Sequence, residues 1–164
     1  MILNNGNIKK LSKILYLYMY DNYLSENELV KLYDNYIENI NSISGISEYR
    51  KIKNYLHDSI INKISINKDI LFNLTLYDET KNISFTKKMI FQNGRIISYN
   101  KVLKSGNIKR INKSLKAYEY LYDEFYKIEN SNYVTIIFTN KNKTKTGFYF
   151  PMVTIKFDTI RVID

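Results

Sequence analysis

Residues 69–103, DILFNLTLYDETKNISFTKKMIFQNGRIISYNKVL, change the period of the chain. From Asp69 onward apolar side chains recur at every second position, as they do along a half-buried strand. Three antiparallel strands are expected here, DILFNLTLY, ISFTKKMIF and IISYNKVL, joined by the polar turns DETKN and QNGR. Asn93-Gly94 is the strongest turn signal among them. Both residues tolerate the positive φ of a type I′ turn, so the second and third strands are expected to form a tight hairpin.

Upstream, the period is helical. In LSENEL, Ser25 and Glu28 make a capping box and Leu24 and Leu29 occupy staple positions, which starts a helix at about Glu26. Leu29, Leu32, Tyr33, Tyr36 and Ile40 then recur on one face of it. KKLSKILYLYMYDNY before it is read as a further helix on the spacing of Leu11, Ile14, Leu15 and Tyr18, and a third is expected from about Ser47 to Ile64, with Tyr49, Leu56, Ile60 and Ile64 inward.

Downstream of Ser105-Gly106, a fourth helix is expected from about Ile108 to Glu129, with Ile111, Leu115, Tyr118, Leu121, Tyr122 and Phe125 on one face. YVTIIFT, the polar loop NKNKTKTG and FYFPMVTIKFDTIRVI read as a hairpin plus a short further strand, with Pro151 placing its strand at an edge or a bulge. The sum is one α+β domain over 1–164. Its helical part is 1–66, a layer of about three helices; 67–164 is an antiparallel sheet of about five to six strands with one helix inserted after the third strand. The helix-strand-strand-strand-helix order over 47–129 resembles, in topology, a double-stranded-RNA-binding domain, which would imply a module that reads the shape of duplex RNA.

Composition narrows the function. Ile, Lys, Asn and Tyr dominate while Ala117 and Pro151 are the sole residues of their types, the signature of AT-rich coding, and this inflates the formal net charge of +9. Its distribution is therefore more telling than its size. Between Glu79 and Glu119 stand Lys81, Lys87, Lys88, Arg95, Lys101, Lys104, Lys109, Arg110, Lys113 and Lys116, with no carboxylate among them. Codon bias would scatter lysine evenly and does not produce such a block. On the expected fourth helix, cations at the N-terminal half and Glu119, Asp123, Glu124 and Glu129 at the other oppose the helix dipole at about 0.3–1 kcal/mol per terminal charge. Phosphate held at the helix start would offset that cost; a solvated lysine face is the alternative. Phe91 and Tyr99 could stack on bases or serve as core.

The absence of cysteine excludes disulfides, thiolate metal sites and cysteine nucleophiles, and scattered glycines exclude a phosphate-binding loop. One histidine is too few for a triad or a zinc cluster. Asp69, Glu79 and Lys81 match a D…ExK nuclease pattern formally, although DETKN is equally a turn. In EYRKIKNYLHDSII, Arg50 and His57 fall within about 20° of each other on a continuous helix. Their spacing resembles the arginine-x(4 to 6)-histidine motif of HEPN ribonucleases, which implies proton transfer by His57 and phosphate stabilisation by Arg50; the helical bundle of that family is not predicted here.

The expectation is a small non-enzymatic binding protein, an inhibitor or modulator of phage, viral or mobile-element type, or an immunity protein. Its basic surface, Lys87, Lys88, Arg95, Lys101, Lys104, Lys109, Arg110, Lys113 and Lys116, would take nucleic acid or an acidic protein, without metal or cofactor. No signal-like or membrane-spanning apolar run is present, so a cytoplasmic location is expected, and a homo-oligomer is compatible with it.

Overall fold

A computed structural model describes residues 3–4, 7–8, 26–103, 108–110, 118–139 and 149–164. Leu3–Asn4 (β1) and Asn7–Ile8 (β2) pair as a small ribbon. Two short helices follow, Glu26–Ile40 (α1) and Ile46–Arg50 (α2), with a 3-10 turn at Lys53–Tyr55. Then come Ser59–Ile66 (β3), Ile70–Asp78 (β4), Ile83–Gln92 (β5), Arg95–Leu103 (β6) and Ile108–Arg110 (β7). Glu119–Ile128 (β8), Ser131–Phe138 (β9), Tyr149–Phe157 (β10) and Thr159–Ile163 (β11) complete the described chain. Strands β3 to β11 form one antiparallel sheet in the order β11-β5-β4-β3-β8-β9-β10-β6-β7.

This overturns the expected α+β layering. The helix predicted from Glu26 is present, but the one predicted over 47–64 stops at Arg50 and its second half is β3. The predicted fourth helix is not formed over the described residues either: Ile108–Arg110 and Glu119–Ile128 are strands, and 111–117 lie outside the described residues. With it go the order of a double-stranded-RNA-binding domain and the helix start that was to hold phosphate. The helix expected near 11–20 and the loop at 140–147 lie outside the described residues.

The cause of both errors is the same. β3 carries a bulge at Asn62, where Ile61 faces Leu74 and Lys63 faces Asn73, so its inward residues are Ile61 and Ile64. β8 carries one at Leu121, so Tyr120, Asp123 and Phe125 share a face. A bulge turns a spacing of two into three, which is a helical spacing when read along the chain.

The sheet folds back on itself. Its four-stranded half (β11-β5-β4-β3) joins its five-stranded half (β8-β9-β10-β6-β7) through a short ladder, Ser59 with Tyr120 and Ile60 with Glu119. The inner faces meet in an aromatic core: Phe72 stacks 6.0 Å from Phe138, and Phe91 lies 5.2 Å from Phe157 and 6.5 Å from Phe125. Segment 40–56 adds Ile40, Ile43, Ile46, Tyr49, Ile52 and Leu56 to that core. It docks on β11 where Ile160 N–H donates to the Ser44 carbonyl at 3.1 Å. Gly45 is required there: its φ is +81°, and a Cβ would lie 1.8 Å from the Ile160 carbonyl oxygen.

Asn93-Gly94 is not a hairpin turn either. β5 pairs with β4 and β11, β6 with β10 and β7, so the chain crosses there from one half to the other. Asn93 has φ +50° while Gly94 is not in the positive-φ region, so the type I′ geometry is not adopted. Gly94 serves close approach instead, because a Cβ would sit 2.7 Å from the Phe91 carbonyl oxygen. The β10–β11 crossing lies alongside. Asn93 N–H donates to Asp69 at 2.8 Å, its amide donates to Asp158 at 2.8 Å, and the Asn132 amide donates to the Asp158 carbonyl at 2.8 Å. Pro151 belongs to an interior strand, one residue past the end of the β9 ladder, where β10 has β6 alone beside it.

Candidate functional site

The fold distributes the described part of the acid-free block among four places. Lys87 and Lys88 converge on Asp164, Lys87 by an ion pair with its carboxylate and Lys88 by a 2.7 Å bond to its main-chain oxygen. The first of these holds the Asp164 carboxyl below its usual range. Arg95 is exposed at the crossing and faces Lys156 in register. At the β6–β7 edge, Lys101 stands opposite Lys109 and Asn100 opposite Arg110. Lys81 lies in the β4–β5 turn, 3.3 Å from Asp78. Lys104, Lys113 and Lys116 lie outside the described residues. Of the two aromatics proposed to stack on bases, Phe91 is wholly buried in the core and Tyr99 packs against it.

Register brings together cations that the sequence keeps apart. On the outer face of the four-stranded half, Lys63, Asn73, Lys88 and Ile163 form one row across β3, β4, β5 and β11, and Arg161 stands opposite Ile90 in the next row. No residue whose side chain points to that face, from Ile60 to Ile163, is buried, and none is acidic. The carboxylates of this half sit in turns or just past the strand ends, Asp164 among them beside Lys87 and Lys88. Asp69 and Asp158 tie down the crossings, and Asp78 accepts from the Thr80 hydroxyl at 2.6 Å and the Thr80 and Lys81 N–H groups. The Thr80 hydroxyl, with Lys81, holds the Asp78 carboxyl below its usual range. Sequence reading missed Lys63 and Arg161. The only signal for them would have been correct strand pairing, since each is isolated in its own segment.

The densest group of titratable side chains lies elsewhere, in a cleft of about 180 Å³ between the 49–57 segment and β8. Asp123 forms its floor. Part of the residue is accessible from the cleft, but its carboxylate is enclosed by hydroxyls: Tyr49 donates at 2.7 and 2.8 Å and Tyr120 at 2.5 Å. Burial pushes the Asp123 carboxyl up, against the pull of those tyrosines and Lys53. Burial likewise pushes both phenols well above 10 and lowers the Lys53 ammonium, which Asp123 opposes. With three hydrogen bonds already on its two oxygens, Asp123 is occupied as a tether. It holds α2 to β8, and Tyr36 ties α1 to the same strand by accepting the Phe125 N–H at 2.8 Å.

The proposed ribonuclease pair is not assembled. The helix ends at Arg50, so the phase that would align it with His57 is lost. Arg50 reaches back to α1, bonding Asn41 at 2.5 Å and the Ile37 carbonyl at 3.4 Å. His57 sits at the cleft rim, 5.1 Å from the Tyr122 ring and 3.0 Å from the Asp58 carboxylate. Asp69 and Glu79 fall beyond opposite ends of β4, about 30 Å apart, so they cannot share a metal. No group of three or more metal-ligating side chains occurs among the described residues. Nor, among these, is any helix long and apolar enough to cross a membrane. No protein-family model, curated protein or solved structure matches the chain.

Proposed function

We propose that this is a small non-enzymatic binding protein that engages an anionic macromolecule, nucleic acid or an acidic protein, through a basic surface. The observation that carries the reading is the outer face of the four-stranded half: uncovered, free of carboxylates among its described residues, and bearing Lys63, Lys88 and Arg161. Cations gathered on one uncovered face raise the local potential and steer anionic partners to it. The enclosed state of Asp123 and the separation of Arg50 from His57 support binding over catalysis.

The full chain is expected to stay on a heparin column at physiological ionic strength and to elute as salt rises. A variant with Lys63, Lys88, Arg95, Lys101 and Arg161 all changed to Glu is expected to flow through. Flow-through of the unmodified protein ends the reading. Pull-down from lysate with and without nuclease then separates the two partner classes.

A further inference from the structure

We infer that the occupant of the outer face of β3, β4, β5 and β11 is single-stranded nucleic acid, laid across the strands with its phosphates on Lys63, Lys88 and Arg161. The inference rests on the basic-surface reading above and specifies its ligand. Shape is the first ground. The face is four strands wide, about 14 Å between its outer strands, and presents a surface where a major groove about 12 Å wide admits a helix or a two-stranded ribbon.

Chemistry is the second ground. Between the cations the face exposes apolar side chains that phosphates do not need and bases do: Ile60 is 42% exposed, Ile163 39% and Tyr77 47%. Tyr77 lies on β4, in the same face as Asn73 and four residues from it, about 13 Å along the strand from the lysine row. Its ring can stack on a base whose backbone crosses Lys88. Asn73, within the lysine row, and Thr75, between it and Tyr77, offer an amide and a hydroxyl to base edges. Lys63 and Lys88 are two interstrand spacings apart, about 10 Å, with Arg161 on the next strand, so one extended strand can meet all three.

The test uses the full chain and three labelled polyanions: a twelve-nucleotide oligouridylate, an RNA duplex of equal length, and polyglutamate. Oligouridylate is expected to bind with log K falling against log salt at a slope of about −2, a loss of about twentyfold between 50 and 200 mM, as three phosphate contacts to a single strand require. Lys63→Glu, Lys88→Glu and Arg161→Glu together should abolish that binding, while Lys51→Glu with Lys127→Glu, at exposed cations outside the face, leaves most of it. Should the triple Glu variant not give a cooperative melt, the triple Gln variant takes its place and should flatten the salt slope. Tyr77→Ala should weaken binding at least about fivefold and Tyr77→Phe restore it.

Unchanged oligouridylate binding by the triple variant overturns the inference, as does equal binding of the duplex. Capture of polyglutamate in place of oligouridylate overturns it too, while leaving the basic-surface reading in place. Binding of none of the three overturns both.

Discussion

The outer faces of the two halves of the sheet use similar residues and bury them differently. On the four-stranded half, Thr75, Thr86, Asn73 and Ser84 stand on a face with no buried member. On the five-stranded half, the equivalent face carries Thr135 and Thr154, each with no exposed surface, and Ser98, Asn100, Val102, Ile137 and Met152, all buried. The polar groups there are paired with one another: Thr135 with Thr154 at 3.1 Å, Asn100 with Ser98 at 3.1 Å, and Tyr126 with Thr135 at 3.4 Å. Burial also pushes the Tyr126 phenol up to about 12. A hydroxyl on the open face can turn to water, whereas one on the closed face must find a protein partner. The open half is therefore where a ligand can be taken at little cost to the fold, and the closed half is where the fold is held.

Apolar truncation should break this contrast most sharply. Met152→Ala, on the closed face, is expected to cost about 2–5 kcal/mol, while Ile90→Ala, on the open face, should cost less than about 1 kcal/mol; urea denaturation of both measures the gap, and equal losses would mean that the open face is covered. A smaller effect separates the hydroxyls. Thr154→Val should cost about 1–3 kcal/mol by stranding its partner, and Thr135→Val added to it should return part of that loss, whereas Thr75→Val should stay within about 0.5 kcal/mol.

The smallest effects are those of pH, and they have opposite signs in the two halves. Asp123, in the closed half, has its folded pKa raised by burial, so its contribution is full below the ordinary carboxylate range and fades as pH rises through the raised value. Asp78, in the open half, has its folded pKa lowered, chiefly by the Thr80 hydroxyl, so its contribution is full above the ordinary range and fades as pH falls through the lowered value. Melting temperature followed from pH 2 to 8 should show Asp123→Asn removing a decline on the alkaline side of pH 4 and Asp78→Asn removing one on the acid side. A common sign for the two variants would show that the turn and the cleft do not differ as described.

Much of the sheet was legible. Alternation located β4, β5, β6, β9 and β10, and the capping box located the start of α1, because each is written in neighbouring residues. β3 and β8 were not, since a bulge in each imitates helical spacing, and β8 has aromatic residues on both faces, which blurs its alternation further. Of the candidate site, Lys88 was found within the acid-free block. Lys63 and Arg161 escaped because they stand 25 and 73 positions away from Lys88 along the chain.

The sequence by itself determined where the period is two, where one helix begins, and that a long stretch carries cations without carboxylates. Tertiary structure alone decided which strands pair, that Asn93-Gly94 crosses between halves instead of closing a hairpin, and which cations share a face. The physical reason is range. Capping, turn chemistry and alternation act between residues a few positions apart, while pairing is selected by burying Phe72, Phe91, Phe125, Phe138 and Phe157 together, from five strands that no local pattern orders.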